Sequence, residues 1–189
     1  INLDSSGNIY IGGHAYVVSN VDANGNQQRT EDRSMYLWKL DSNGGMLWQR
    51  RVRTPWQENS GNAVTSDDSG NVYLIGSVYV QGRGSSSAYS RDCILVKYDS
   101  SGNMQWHRTA KSTHGAGSGS AVVLDNSGNI YINAQFYGNP SYPRQQFDSV
   151  LLKYNSSGTL QFARRFGGEE NDYTAGIAID ALGSIYLGG

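Results

Sequence analysis

Histidines and carboxylates are the residues of this sequence best suited to acid–base chemistry. His14, His107 and His114 occupy unrelated positions, and no two of them have the spacing of metal ligands. His114 together with Glu58 or Asp172 is the best available pair for a general acid and base in a lyase or hydrolase. No distinctive cluster surrounds that set. We therefore predict no catalytic residue, no metal and no cofactor.

The single cysteine, Cys93, is the other candidate for reactivity. It lies next to the apolar run 94–96, which favours a small buried side chain over a nucleophile. A nucleophilic cysteine would need a histidine and an acid arranged around it in space. Nothing in the sequence singles out such a set.

Aspartates in Asp-x-x-Gly turns raise the question of calcium. A calcium loop needs six or more oxygen ligands, and each turn here offers one or two carboxylates. Aspartate is also the usual residue for bonding its own backbone in a turn, so we assign these residues a structural role. The acidic group Glu169, Glu170 and Asp172 is denser, but the other repeats lack it. The predicted turn residues are Asp4, Gly7, Asp41, Gly44, Asp67, Gly70, Asp99, Gly102, Asp125, Gly128, Gly158, Asp180 and Gly183.

One of these turns recurs four times with the same flanking pattern. The copies are residues 4–11, 67–74, 125–132 and 180–187. A tight polar turn followed by alternating β-branched and aromatic residues predicts the second half of a β-hairpin.

A second block, with one lysine and another turn, follows each complete hairpin at 36–44, 94–102 and 150–158. A short strand ending in aromatic-x-Arg comes next, at 48–50, 106–108 and 162–164. Each repeat therefore contains four strands: A before the first turn, B after it, C with the lysine and D with the arginine. Lys39, Lys97 and Lys153, with Arg50, Arg108 and Arg164, recur in every complete repeat, which favours bonds between repeats, involving the turn aspartates, over catalysis.

Four antiparallel strands per repeat of about 59 residues predict an all-β fold built from β-propeller blades; a β-solenoid is the alternative. The predicted units are blade 1 at 1–62, blade 2 at 63–120, blade 3 at 121–176 and strands A and B of a fourth blade at 177–189. Propellers close with about 4–8 blades. We therefore expect about three full blades and a partial one to belong to a larger closed propeller, completed by the same longer chain or by other copies.

The composite motif resembles the SBBP-type β-propeller repeat. It reads (Ile/Val)-x-x-Asp-x-x-Gly-Asn-(Ile/Val)-Tyr, then Asp-x-x-(Leu/Val)-x-Lys-(Tyr/Leu)-Asp-x-x-Gly, then Trp-x-Arg, and segment 166–172 resembles that family's linker. Ser34 departs from it where Asp92 and Asp148 begin strand C, and 181–184 lacks the Gly-Asn pair. The resemblance implies a bacterial secreted or cell-surface scaffold without an assigned catalytic activity.

The composition limits the classes of binding partner that we expect. The formal net charge of -1 gives no electrostatic reason to expect nucleic acid, and no apolar run approaches the length of a membrane span. The predicted loops 14–33, 77–91 and 135–147, together with 51–62 and 109–120, emerge on one face of the blades. Their tyrosines and amides suit a sugar or protein ligand, the alternative being tyrosines packed over sheet edges. The predicted binding residues are Tyr16, Trp56, Tyr79, Tyr89, Tyr137, Tyr142 and Arg144.

Three functions fit these observations. The preferred one is a non-catalytic extracellular or cell-surface scaffold for recognition or adhesion, with carbohydrate as the favoured ligand. A propeller enzyme with a site on the loop face is the second. A structural subunit of a surface layer or filament is the third.

Overall fold

A computed structural model describes residues 1–21, 27–52, 59–80, 90–111, 116–137, 146–173 and 175–189. Within these ranges the chain forms β-strands and no helix, which confirms the all-β prediction. None of the described segments forms a helix long and apolar enough to cross a membrane.

The strands form three four-stranded antiparallel sheets and one two-stranded sheet, each a meander in chain order. The first sheet contains β1 (Asn2–Leu3), β2 (Ile9–Val21), β3 (Gln27–Leu40) and β4 (Met46–Val52). The second contains β5 (Ser60–Ser66), β6 (Val72–Val80), β7 (Ser90–Tyr98) and β8 (Met104–Ala110). The third contains β9 (Gly117–Leu124), β10 (Ile130–Tyr137), β11 (Phe147–Tyr154) and β12 (Leu160–Phe166), and β13 (Gly176–Ile179) pairs with β14 (Ile185–Gly188). These strands follow the predicted order A to D in each repeat.

The predicted connections between strands B and C are shorter than expected. Strands β2 and β3 occupy most of 14–33, and β6 and β10 extend to Val80 and Tyr137. The prediction that Tyr16, Tyr79 and Tyr137 lie in loops is therefore wrong: they lie in strands. Residues at these strand ends still pair across the hairpin, so the strands extend beyond their apolar core residues.

The second sheet carries the centre of the core. Leu74 and Val96 pack against the first sheet, whereas Ile75 and Leu95 pack against the third. All four side chains are almost completely buried. A sheet buried on both faces needs apolar residues at consecutive positions, which explains the continuous apolar run 94–96. Cys93 is buried in the same layer, where burial, together with the charge of Asp92, raises the pKa of its thiol to about 12.

The first strands of successive sheets lie beside one another. Asn2 donates to Ser66 Oγ (2.7 Å), and Asn62 donates to Ser118 Oγ (2.9 Å) and Gly119 O (2.7 Å). Asn133 donates to Gly176 O (3.0 Å), which joins the third sheet to the fourth. Strands β5 and β9 begin a few residues before the predicted boundaries at 63 and 121. The boundaries were predicted too late because the Gly- and Ser-rich starts of these strands show no apolar alternation.

The sheets approach one another closely at glycines, which have no side chain. A Cβ added at Gly61 would lie 2.5 Å from Gly13 O and 3.0 Å from Gly13 N in the neighbouring sheet. A Cβ at Gly119 would lie 3.0 Å from Ile75 Cδ1 and 3.1 Å from Cys93 Sγ. The backbone of Gly13 cannot yield as a flexible side chain would, so a side chain at position 61 requires the two sheets to move apart.

We predict that Gly61→Ala lowers the free energy of unfolding by about 1–3 kcal/mol, the usual cost of overpacking a tight contact. Urea unfolding followed by tryptophan fluorescence measures it. Gly168→Ala is the matched control, because an added Cβ there meets no atom within 4 Å. The control should change stability by less than about 0.5 kcal/mol. Equal effects of the two substitutions would contradict the close packing of the first two sheets.

Candidate functional site

Three of the predicted binding residues occupy equivalent positions in the three complete sheets. Tyr16, Tyr79 and Tyr137 each stand six residues after the tyrosine that follows the first turn of its repeat. Each pairs across the hairpin with the same position of strand C. Those partners are Arg33, Arg91 and Phe147, respectively. We call this end of the stack the tyrosine end, and the opposite end, which carries the Asp-x-x-Gly turns, the turn end.

Two of the tyrosines are held by direct side-chain contacts. Arg91 Nη2 donates to Tyr79 OH at 2.9 Å, and its guanidinium lies 4.7 Å from the centre of the Tyr79 ring. The Tyr137 ring meets the edge of the Phe147 ring with centroids 4.9 Å apart. Tyr16 is 50% exposed. A ring held in this way presents flat area to a ligand without losing much conformational freedom on binding.

The connections from one sheet to the next fix the backbone at the tyrosine end. Asn59 N donates to Arg33 O at 2.7 Å, while its side-chain oxygen accepts from Tyr79 N of the next sheet. In the next connection the backbone carbonyl of Ala116 accepts from Tyr137 N at 2.8 Å. Each of these two connections therefore positions the following tyrosine.

The other predicted binding residues, Trp56, Tyr89, Tyr142 and Arg144, lie outside the described residues. Sequence reasoning grouped all seven residues by composition and missed that three are equivalent. The constant spacing from Tyr10, Tyr73 and Tyr131 is the signal that identifies them.

Of the two described histidines, His14 and His107, His14 lies nearer to this end. Its Nε2 lies 2.7 Å from Arg33 Nη2, and both burial and the charge of Arg33 lower the pKa of the imidazole. The ring is therefore neutral at pH 7. Ser60 lies 3.5 Å from its Nδ1 but donates to Asn62 Oδ1 at 2.8 Å. A serine nucleophile would donate to the histidine instead, so this pair lacks the geometry of a catalytic dyad.

The candidate acid–base set of an enzyme, His114 with Glu58 or Asp172, is only partly described by the structure. His114 and Glu58 lie outside the described residues. Asp172 is described: its backbone donates to Phe147 O, and its Oδ2 accepts from Gly168 N at 2.8 Å. Within the described ranges, no three His, Cys, Asp or Glu side chains come together as a metal site.

At the turn end, each A–B turn is closed around one carboxylate. Asp4 Oδ1 accepts from the backbone N–H groups of Ser6 (3.0 Å) and Asn8 (2.9 Å). Its Oδ2 accepts from Asn8 Nδ2 (2.8 Å) and Tyr10 OH (3.0 Å). The glycine of the turn has a φ of 79°, in the left-handed region that favours glycine. Equivalent bonds form at Asp67 and Asp125, and Asp180 keeps the bonds to backbone and tyrosine.

Hydrogen bonds lower the pKa of several aspartates in the A–B turns, and of Asp99 in a C–D turn. Burial opposes ionisation at Asp4 and Asp125, but donors led by Asn8 and Asn129 outweigh it, and the pKa of each carboxyl is lowered. The pKa of Asp99 is lowered first by the Asn103 side chain, and that of Asp180 by the backbone of residue 184. Both oxygens are engaged, which favours the structural role over a metal site.

An arginine from each of the first two sheets donates two hydrogen bonds to the C–D turn of the next sheet. Arg50 donates from Nε to Gly102 O (2.5 Å) and from Nη2 to Ser101 O (2.9 Å). Arg108 donates in the same way to Gly158 O (2.7 Å) and Ser157 O (3.1 Å). We call this contact the arginine clasp. Arg50 and Arg108 thus bond between sheets, but with turn carbonyls instead of the predicted aspartates.

The repeated lysines cover the tyrosines of their own sheets. Lys39, Lys97 and Lys153 lie 5.2, 5.1 and 4.9 Å from the ring centres of Tyr10, Tyr73 and Tyr131. A cation over a buried ring stabilises the fold. This contact accounts for the lysine in every complete repeat without a catalytic role.

No protein-family model matches the chain. Over 143 residues, 67% of the chain, it is 27% identical to the regulatory protein FlaEY of Caulobacter vibrioides. The matched region spans 15% of the length of that protein. The chain is thus similar to a short part of a much longer regulatory protein.

We predict that stability falls in acid because of the turn carboxylates. A carboxyl whose pKa is lower in the folded state contributes stability above its unfolded pKa, here 3.8, and loses it as the pH falls through the folded pKa. The contribution of these carboxylates to the free energy of unfolding should therefore be constant above about pH 5 and decline below about pH 4. Urea unfolding at a series of pH values measures this. Asp125→Asn should make the decline shallower; an unchanged slope would contradict the role of Asp125.

We predict that Arg108→Met lowers the free energy of unfolding by about 1–3 kcal/mol, because two carbonyls lose a charged donor. Arg164→Met is the matched control, since Arg164 occupies the same position of strand D but is exposed. The control should stay within about 0.5 kcal/mol of the parent. Urea unfolding midpoints compare the three proteins, and equal losses in both variants would rule out the clasp as the cause.

Proposed function

We propose that this chain is part of a β-propeller that serves as a non-catalytic recognition scaffold. Three equivalent tyrosines at one end of a rigid stack carry the proposal. Their positions are fixed by the strand pairing and by the connections between sheets. Binding residues commonly lie at the ends of such a frame.

The arrangement of the sheets supports the propeller. Each complete sheet is a four-stranded meander, the sheets pack face to face, and their first strands adjoin. In a propeller those first strands surround the central channel. Further blades, from the same longer chain or from other copies, complete the ring.

Carbohydrate is the ligand class that we propose. Sugar rings present flat C–H faces and many hydroxyls, which suit fixed aromatic faces next to polar groups. Tyr16 is half exposed, and Tyr79 and Tyr137 are partly exposed beside the connections. The resemblance to SBBP-type repeats supports an extracellular or cell-surface location and a role in adhesion.

Protein recognition is the second candidate, and the Tyr79–Arg91 pair favours it. Tyrosine and arginine are the residues most often found at the energetic centre of protein interfaces. The similarity to part of the regulatory protein FlaEY also fits a binding module within a longer protein.

We expect the protein to bind members of a glycan array, and the variant Tyr16→Ala/Tyr79→Ala/Tyr137→Ala to bind at least about tenfold more weakly. Each aromatic contact contributes about 0.5–1.5 kcal/mol, so three together exceed a factor of ten. Tyr186→Ala is the control, because Tyr186 is 57% exposed but bonds to a turn aspartate.

Circular dichroism establishes that the variants are folded. Undiminished glycan binding by the triple variant would place the site elsewhere. No glycan binding by the parent protein would overturn the carbohydrate proposal and direct the search to protein ligands.

A further inference from the structure

A cavity of about 450 Å³ lies between the first and second sheets. Strand β4 lines one side of it, and strands β7 and β8 line the other. Each of these sheets has its four strands, so the cavity lies between two complete repeats. Its volume is within the range of about 300–1,000 Å³ that is common for small-molecule sites. The cavity is therefore large enough for a ligand of that class.

The inner wall of the cavity is aliphatic. Val52, Ile94 and Val96 line it and also pack in the core cluster between the two sheets. Ile94 and Val96 are almost completely buried, so the cavity reaches into this core. Met104 also lines it but is 57% exposed, which places this residue at the opening. Aliphatic side chains form no hydrogen bonds, so the wall suits an alkyl chain better than a sugar.

Basic side chains line the cavity without an acidic one. Arg50, Arg51 and His107 are among its lining residues, and none of the described residues that line it is Asp or Glu. Three of the five N–H groups of Arg50 donate to backbone carbonyls, and two remain. Within the described part of the chain, Arg50 forms no ion pair with a carboxylate. The charge of Arg50 is thus available to an anionic ligand.

Tyr98 adds a buried hydroxyl group close to Arg50. Tyr98 lines the cavity and is 4% exposed. Burial raises the pKa of this hydroxyl to about 12, and the charge of Arg50 opposes the rise, so the guanidinium acts on the phenol across a short distance. The hydroxyl therefore stays protonated at pH 7, and an anion beside Arg50 can accept a hydrogen bond from it.

The interface between the second and third sheets differs from this one in its basic groups. Ala163 and Thr109 occupy the positions of His107 and Arg51, as their pairing with strand C shows. That interface therefore lacks two of the three basic side chains that line the cavity. We expect an anionic ligand to select the interface of the first two sheets.

We propose that this cavity binds the carboxylate form of a medium-chain fatty acid. The alkyl chain packs against the aliphatic wall, and the carboxylate accepts hydrogen bonds from Arg50 and Tyr98. His107 adds a ring N–H donor, which an imidazole has in either protonation state. An aliphatic wall with basic groups and no acid recognises one apolar chain with one negative charge. None of the three tyrosines of the tyrosine end lines the cavity, so this site is separate from the proposed glycan site.

Methionine methyl NMR tests the proposal with decanoate as the probe. Below the concentration at which decanoate forms micelles, it should shift the Met104 methyl signal saturably. Met46 is the internal control, because it has the same position in the first sheet, is 63% exposed and does not line the cavity. Equal, unsaturable shifts of both methyls would mean adsorption to exposed apolar side chains and would overturn the proposal. Decanol should bind at least about tenfold more weakly, because it lacks the charge. Equally tight binding of decanol would overturn the assignment of a carboxylate.

Two matched pairs of variants separate the ligand site from the packing of the sheets. Arg50→Met and Arg108→Met each remove one arginine clasp, but only Arg50→Met should weaken decanoate binding, by at least about tenfold. Met104→Glu places a negative charge at the opening and should weaken binding by a similar factor. Leu160→Glu makes the same change at the equivalent exposed position of the third sheet and should not. Equal losses within either pair would overturn the proposal.

The triple tyrosine variant designed for the glycan array should bind decanoate as the parent does. Circular dichroism establishes that every variant is folded. Because the two sites share no lining residue, loss of glycan binding and loss of decanoate binding are distinguishable.

Discussion

The arginine clasp is the charged, directional contact that joins the first sheet to the second and the second to the third at the turn end. It joins strand D of one sheet to the C–D turn of the next through two backbone carbonyls. A planar guanidinium with parallel donors fixes both distance and orientation, which a single ammonium cannot do. Since the acceptors are backbone atoms, the same clasp forms on a turn that begins with Asp99 and on one that begins with Asn155.

The clasp in turn depends on how each turn is held. A side-chain oxygen of the first residue accepts from backbone N–H groups of the turn, and the glycine takes a positive φ. The last two carbonyls of the turn accept from the arginine of the neighbouring sheet. Strand C, which enters this turn, carries at its other end the residue that pairs with the tyrosine of strand B, Arg91 with Tyr79 and Phe147 with Tyr137. The hairpins of strands B and C thus run from the turn end to the tyrosine end.

The strand order and the turns could be predicted from the sequence because both are encoded locally, by Asp-x-x-Gly and by apolar runs such as 94–96. Three features could not. The partners of Arg50 and Arg108 are carbonyls, which every residue has, so no side chain marks them. Strands β5 and β9 begin in glycine and serine, which show no alternation. The strands continue beyond their apolar residues, and the tyrosines in these extensions were therefore predicted to lie in loops.

The burial of the second sheet on both faces has a mechanical consequence. Because the clasps and core clusters join only neighbouring sheets, force applied at the two termini is carried by one interface after another and not by the molecule as a whole. Among the described sheets, the second and the third each lie between two neighbours. Stretching should separate the packed sheets in successive events, which a force–extension record resolves step by step.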